Sequence, residues 1–345
     1  MTKSIETWFI TLAALVVSFV LIAIFISSTG NSPNEVFYSM YRGAFGTWFS
    51  WQNTLVRAAP LMLTALCTAL PARVGLIVIG GEGAVVIGGL CAAIAGVMLQ
   101  SLPAFVVLTS MVFVACITGG LWITAVGALK YKRNVNETIS SLLMNYIAIA
   151  ILMFLVVGVL KDPATLNNPS THSIGEKNMI GYVGETSIHW GLVFGLIVCI
   201  ALWVLTHLST FGFSANVVGG NMRAARLAGL PVGKILLLSC FLGGAAAGLA
   251  GMIEVAAIHG RANSSLNAGY GYAGILVAFL ARHNPLAIIP FALLLGGIQA
   301  SGGLLQRAHD LPDATGSVIQ GIIFMVILTS ETIYGRIKWL QPKIA

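Results

Sequence analysis

Charged residues are scarce in this chain of 345 residues. Asp, Glu, Lys and Arg make up only 8% of it, whereas soluble domains carry about a quarter. Hydrophobic residues reach 57%, and the mean hydropathy is +0.92. A soluble core cannot use that much apolar surface, so the composition excludes an ordinary soluble protein and predicts a polytopic membrane protein. We expect one membrane domain over residues 1–345.

The sequence also lacks the residue patterns of enzymes and metal sites. Its five cysteines have no CxxC spacing and no nearby histidine, which argues against a metal site and a disulfide framework. No nucleophile triad, HExxH motif or pair of carboxylates is present. Residues 228–235 superficially resemble a phosphate-binding P-loop, but Ala228 stands at the first glycine and Ile235 at the Mg-binding Ser/Thr. We therefore predict a non-enzyme without an ATPase motif and without a cofactor of its own.

Long apolar runs organise the chain. Spans of roughly 20 residues cross a bilayer as helices, and the runs predict an all-α fold with about ten transmembrane helices. The predicted spans are 8–26, 55–70, 74–99, 103–129, 138–160, 190–208, 235–257, 270–281, 286–305 and 314–329. The span at 270–281 is short for a crossing. In the seventh span, Gly244 and Gly248 have the GxxxG spacing that lets helices pack closely.

The basic residues are scattered in ones and twos, which fits membrane orientation rather than nucleic-acid binding. With both termini in the cytoplasm, six basic residues fall outside and 12 of the 18 fall inside, namely Lys3, Arg73, Lys130, Lys132, Arg133, Arg223, Arg226, Lys234, Arg282, Arg336, Lys338 and Lys343. Positive charge favours the cytoplasmic side, so this bias supports the orientation. The hydrophilic loop 161–187 is then predicted on the outer, periplasmic face.

Glu82 is the polar residue of greatest interest inside the spans. It follows Gly80 and Gly81 and precedes Gly83, and these glycines weaken or break a helix at mid-depth. An intramembrane carboxylate is costly unless it is paired or faces water. One reading places Glu82 on a substrate path, and the other makes it the structural partner of an arginine or a free helix N-terminus. If the first holds, Glu82→Gln reduces uptake while the complex still folds.

Amides provide the remaining polar groups in the spans. Asn145 lies well inside the fifth span, where it needs a partner and either bonds a neighbouring helix or lines the path. Glu254, Gln299 and Gln320 are weaker candidates of the same kind. The predicted substrate-path residues are Gly80, Gly81, Glu82, Gly83, Asn145 and Gln299.

A capping box is predicted at the start of the fifth span, where Glu137 follows Asn134 by three residues.

The stretch 209–234 is polar, basic and rich in small residues between two apolar runs. Asn221 is suited to cap a helix, Gly229 to close it in a left-handed conformation, and Pro231 to prevent it from resuming. On the resulting short helix, Arg223 and Arg226 share a face. The pattern indicates a docking element, with Asn221, Arg223, Ala224, Ala225, Arg226, Leu227 and Gly229 as its predicted residues.

Three stretches carry a resemblance to a known family. VGLIVIGGEG at 74–83 is similar to the pattern GLFNIGxEGQ, NETISSLLMNYI at 136–147 to HEVIS…MLNYIA, and GNMRAARLAG at 220–229 to GxNPEAARYAGI. Over about residues 55–331 the chain resembles permease subunits of ATP-binding-cassette (ABC) importers in the branched-chain amino acid and simple sugar superfamily, above all the nucleoside-type branch. It departs at Val78 and Ala84, near the path, and at Met222-Arg223, in the docking helix.

The resemblance implies a transport complex. It has two permease subunits, the second here expected to be a related but different chain, in a bacterial cytoplasmic (inner) membrane. It further implies an ATPase subunit that carries ATP and Mg, docked on the cytoplasmic coupling loop 209–234, and a periplasmic or lipid-anchored substrate-binding protein. The resemblance favours a nucleoside or purine-type compound as the transported solute, and simple sugars and riboflavin are the alternatives. From another class, a proton- or sodium-coupled secondary transporter that uses Glu82 also fits the broken helix and lone carboxylate.

Overall fold

The computed structural model describes residues 2–165, 168–312 and 314–333. Over these residues the chain is helical, and its only β-type pairing is two isolated bridges. The predicted all-α fold is confirmed. In chain order the helices are α1 (Thr2–Ser28), α2 (Pro33–Phe45), α3 (Trp48–Arg73), α4 (Gly81–Met98), α5 (Ala104–Arg133), α6 (Glu137–Val157), α7 (Gly191–His207), α8 (Thr210–Gly220), α9 (Met222–Leu227), α10 (Val232–Ile253), α11 (Tyr270–Leu280), α12 (Pro285–His309) and α13 (Ala314–Ile333).

Each predicted span overlaps one of these helices, but the count of ten spans is not confirmed. Among the described residues, six helices are each long and apolar enough to cross a membrane, and two bent pairs, α1 with α2 and α7 with α8, raise the number to eight. The short helix α11 explains part of the difference, because its 11 residues extend about 16 Å against a hydrocarbon core of roughly 30 Å. Helices α2 and α8 were not predicted.

The third predicted span is broken where it begins. Helix α4 starts at Gly81, and residues 74–80 form a non-helical stretch, in which Gly75 has φ +81°. The glycines around Glu82 therefore mark the start of a helix rather than a weak point in its middle. We call residues 74–80 the extended segment.

Glycine-to-glycine contacts pack α4, α5 and α10 together. A Cβ at Gly88 would collide with the Cα of Gly248, and one at Gly119 would lie 2.6 Å from the carbonyl oxygen of Gly244. Backbones this close exclude any side chain between them. The predicted small-residue face on the seventh span, α10, is confirmed as a helix-packing surface.

Gly248→Ala is expected to lower the melting temperature of the purified protein in detergent. The added methyl would collide with the backbone of Ala115 in α5, and such overpacking costs about 1–3 kcal/mol. Gly303→Ala in α12 is the matched control, because a Cβ at Gly303 meets nothing within 4 Å. Equal melting temperatures of the two variants would contradict the close packing of α10 on α5.

The capping box predicted at Asn134 and Glu137 is wrong. Asn136 is the N-cap of α6, and its side-chain oxygen accepts hydrogen bonds from the N–H groups of Thr138 (2.9 Å) and Ile139 (3.1 Å). Asn134 instead ends α5 in the left-handed conformation, with φ 53°. Glu137 forms an ion pair with Lys130 at 3.0 Å, which is a second use for the carboxylate that local spacing did not reveal.

The loop 161–187 folds onto the segment that follows α10. Thr171 donates its N–H to the carbonyl oxygen of Ala262 at 2.9 Å, and Ile174 donates to Gly260 at 2.9 Å. Between α10 and this segment, Glu254–His259 form a π-helical turn. The loop therefore contacts residues beyond the C-terminus of α10, whereas α9 lies just before its N-terminus. The loop and α9 are separated by the length of α10, about 33 Å for 22 residues. That separation is compatible with the predicted placement on opposite membrane faces, which stays a prediction. Asn167 lies outside the described residues.

The chain divides into two compact units, Leu55–Leu294 and Met1–Thr54 with Leu295–Ala345. In the second unit, α1 packs against α2 and α13. The single permease domain over 1–345 stays a prediction. The side chain of Lys3, and residues 334–345 with Arg336, Lys338 and Lys343, lie outside the described part of the chain, so the orientation of the termini also stays a prediction.

Candidate functional site

Glu82 caps a helix far along the chain. Its side chain is fully buried in the first turn of α4. One carboxylate oxygen, Oε1, accepts the N–H of Gly269 at 2.8 Å, and Oε2 accepts the N–H of Gly271 at 2.6 Å. Both donors lie at the N-terminus of α11, whose first N–H groups have no partner within their own helix. Both oxygens of this buried carboxylate are thus hydrogen-bonded.

The N-termini of α4 and α11 meet at Glu82. A Cβ on Gly271 would collide with the backbone nitrogen of Glu82, and one on Gly81 would lie 3.5 Å from the Cα of Gly271. Each helix N-terminus carries a partial positive charge of about half an elementary charge. A carboxylate placed between two such ends is stabilised by both. The geometry favours the structural reading of Glu82, and its place on a substrate path stays a prediction.

Asn145, on α6, forms hydrogen bonds on both sides of the break between the extended segment and α4. It is fully buried. Its Oδ1 accepts the N–H of Gly83 at 2.7 Å, and its Nδ2 donates to the carbonyl oxygen of Ile79 at 3.1 Å and to the hydroxyl of Tyr272 at 3.4 Å. The amide therefore has the partners it needs on neighbouring elements. Asn145 joins the extended segment, α4 and α11 at one point.

Two further residues of α6 bind the extended segment. The Thr138 hydroxyl donates to the carbonyl oxygen of Ile77 at 3.1 Å, and the N–H of Ile79 donates to the Ser141 hydroxyl at 3.0 Å. With Asn145 they form the polar stripe of α6. Non-helical backbone inside a bilayer needs such partners. Sequence reasoning missed Thr138 and Ser141, although polar residues three and four apart on an apolar helix share one face.

The other predicted path residues divide between the two units. Gly80, Gly81 and Gly83 are buried and lie with Glu82 and Asn145 in the unit Leu55–Leu294. Gln299 is half-buried in α12, within the other unit. The structure therefore brings five of the six candidates together and shows a polar centre at the break between the extended segment and α4.

The predicted docking helix is α9. Asn221 Oδ1 accepts the N–H groups of Arg223 (2.9 Å) and Ala224 (3.0 Å), so the predicted N-cap is confirmed. Gly229 has φ +80°, and Leu230 donates its N–H back to Ala225 at 3.1 Å. This is the left-handed closure predicted at Gly229. The helix is shorter than the predicted nine residues because it ends at Leu227.

Helix α9 presents a mixed basic and apolar surface. Ala225 is fully buried, whereas Leu227 is 92% exposed and Arg223 and Arg226 are exposed. Beside it lies an open cleft of about 460 Å³, lined by Tyr131, Lys132, Arg226, Leu230, Pro231, Val232, Gly233, Lys234 and Leu237. Leu227 directly follows Arg226, so an exposed apolar side chain adjoins exposed arginines on this helix, and its docking role stays a prediction.

Known proteins resemble the chain over most of its length. The sequence profile of the family described as "Branched-chain amino acid transport system / permease component" matches residues 50–328. A glucose ABC transporter permease protein of Haloferax volcanii is 31% identical, over 87% of this chain and 81% of that protein.

Two relatives match more of their own length. A guanosine ABC transporter permease protein of Bacillus subtilis is 27% identical, over 98% of this chain and 99% of that protein. A nucleoside ABC transporter permease protein of Lactococcus lactis subsp. cremoris is 24% identical, over 91% of this chain and 89% of that protein.

Proposed function

The chain belongs to the family of branched-chain amino acid transport system permease components and is the permease subunit of an ABC importer, and we propose that the solute it takes up is a nucleoside. The observation that carries the proposal is the end-to-end similarity to the guanosine permease, which covers 98% of this chain and 99% of that protein. The family also argues against a proton- or sodium-coupled transporter that uses Glu82.

A simple sugar is the second candidate. The glucose permease has the higher identity, 31% against 27%, but it matches a smaller share of both chains. A nucleoside contains a ribose, so both solutes offer neighbouring hydroxyl groups. They differ in the base, a flat aromatic ring that only the nucleoside carries. The match over the full length of both chains favours the nucleoside.

Transport proceeds by alternating access. ATP, with Mg, binds a separate ATPase subunit, whose closure moves α9 through Arg223, Arg226 and Leu227. Helix α9 packs against α8 and α10, and α10 packs on α4 and α5 through the glycine contacts, so a shift of α9 reaches the break beside Glu82. The solute is moved without chemical change, and this chain needs no cofactor of its own.

The complex contains further partners. A second permease, related to this chain but different from it, completes the path, and a periplasmic or lipid-anchored binding protein delivers the solute. The assembly lies in a bacterial inner membrane, with both termini and α9 on the cytoplasmic side and the loop 161–187 on the outer side. Path residues are those at the break, Gly80 to Gly83 with Asn145, and Gln299.

Uptake by the reconstituted complex tests the proposal. The chain, its ATPase, the second permease and the binding protein are placed in liposomes, and radiolabelled guanosine, glucose and riboflavin are offered in turn. We expect guanosine to accumulate with ATP and not without it. Glucose uptake without guanosine uptake would make the sugar the solute, and transport by this chain alone under a proton gradient would refute the importer mechanism.

A further inference from the structure

Two tyrosines lie on one surface beside the break. Tyr146 follows Asn145 on α6 and is 61% exposed, and Tyr272, in the first turn of α11, is 40% exposed. The hydroxyl of Tyr272 accepts the amide N–H of Asn145, the residue before Tyr146 on α6, at 3.4 Å. We call Tyr146 and Tyr272 the tyrosine pair.

The position of Tyr146 along its helix does not suit a lipid-facing tyrosine. Membrane tyrosines gather at the interfaces, where the hydroxyl reaches water, and the other exposed tyrosines described lie near helix ends, on α2 or in a loop, namely Tyr38, Tyr41, Tyr131 and Tyr182. Tyr146 is instead in the middle of the 21-residue α6. An exposed hydroxyl at that depth loses its hydrogen bonds if it faces lipid.

The exposed backbone of the extended segment contacts α6 nearer the start of that helix. Ile77 is 53% exposed in the extended segment, and its carbonyl oxygen is bound by Thr138, two turns before Tyr146 on α6. Non-helical backbone does not face lipid within the hydrocarbon region and occurs only where it is covered by protein or lines water. Thr138 lies in the first turn of α6, so the position of Tyr146 in the middle of that helix is the observation that turns this surface toward an aqueous path.

We propose that the tyrosine pair is a binding site for the base of the solute, an aromatic heterocycle that stacks on the tyrosine rings. This inference rests on the proposed nucleoside uptake and names the part of the chain that distinguishes a nucleoside from a sugar. Asn145 is a positioning residue, because it holds Tyr272 through the hydroxyl and holds the break through Gly83 and Ile79. Stacking of a base on one aromatic side chain strengthens binding about tenfold or more.

Uptake kinetics of the reconstituted importer test the site. We expect Tyr146→Leu and Tyr272→Leu each to raise the KM for guanosine about tenfold, and Tyr146→Phe, which keeps the ring, to stay within about twofold of wild type. Tyr182→Leu, in the loop 161–187, is the matched control and should leave the KM unchanged. An unchanged KM for guanosine in both leucine variants would overturn the proposal.

Uptake by the wild-type complex distinguishes a failure of the base site from a failure of the proposed nucleoside uptake. If wild type takes up guanosine but the leucine variants are normal, the importer function stands and the base site is wrong. If wild type takes up glucose and not guanosine, the nucleoside proposal fails first and the base site fails with it. If the variants lose guanosine and glucose uptake equally in a complex that transports both, the pair does not read the base.

A labelling experiment tests the site without depending on transport. Tyr146→Cys in the assembled complex should react with a water-soluble thiol reagent, and guanosine should slow that reaction. The unmodified chain is the control, because its five cysteines are buried or half-buried. A Tyr146→Cys variant that resists the reagent faces lipid or the second permease, and either result would overturn the proposal.

Discussion

Replacing Glu82 with glutamine is expected to lower the melting temperature of the purified protein by roughly 2–4 °C and to reduce ATP-driven uptake. The carboxylate accepts one N–H with each oxygen. Glutamine keeps one oxygen and turns an NH₂ group toward the other donor, so a buried N–H of α11 loses its acceptor. Losing a hydrogen bond to a charged group costs about 1.5–3 kcal/mol, which corresponds to a shift of this size in a protein of this length.

The two readings of Glu82 predict different results for that variant. As the cap of α11, it changes stability and uptake together. As a group that binds the solute directly, it changes uptake while the melting temperature stays normal. Glu254→Gln is the matched control for stability, because Glu254 is also buried but its Oε1 has no hydrogen-bond partner among the described residues. Wild-type melting and uptake in Glu82→Gln would exclude both roles.

Local signals in the sequence predicted the features that depend on neighbours in the chain. Asn221 and Gly229 define the ends of α9 because a side-chain oxygen reaches N–H groups two and three residues on and glycine tolerates a positive φ. The apolar runs located the membrane helices for the same reason. Where two asparagines lie close together, the local pattern selects the wrong one. It predicts Asn134 as the cap at the start of α6, whereas the cap is Asn136.

Contacts between distant residues were beyond the sequence. Glu82 and Gly271 are separated by 189 positions, and nothing near Glu82 shows that its partner is the N-terminus of α11 rather than an arginine. Likewise, Asn145 was known to need a partner, but the extended segment that supplies it was assigned to a helix. Side chains of α6 form hydrogen bonds with backbone groups of the extended segment. These contacts between distant residues allow a non-helical backbone where the apolar run favours a helix.

Replacing both Arg223 and Arg226 with glutamate is expected to abolish ATP-coupled uptake, or to release the ATPase subunit, while the permease still inserts and melts normally. The two arginines are exposed, and a change from two positive to two negative charges reverses the electrostatic complementarity of a docking surface. Exposed substitutions change stability by only about 0.5 kcal/mol. Co-purification of the ATPase with the tagged chain and uptake in liposomes measure the two outcomes.

The effect must be specific to α9 for the docking role to hold. Lys161→Glu with Lys177→Glu makes the same change in net charge on exposed residues of the loop 161–187, about 33 Å of helix away, and should leave the ATPase bound. Leu227→Ser removes the exposed apolar side chain next to Arg226 and should weaken the ATPase contact without any change of charge. Helix α9 packs on α8 and α10, so normal coupled uptake in the double arginine variant would show that the ATPase drives the permease through another surface.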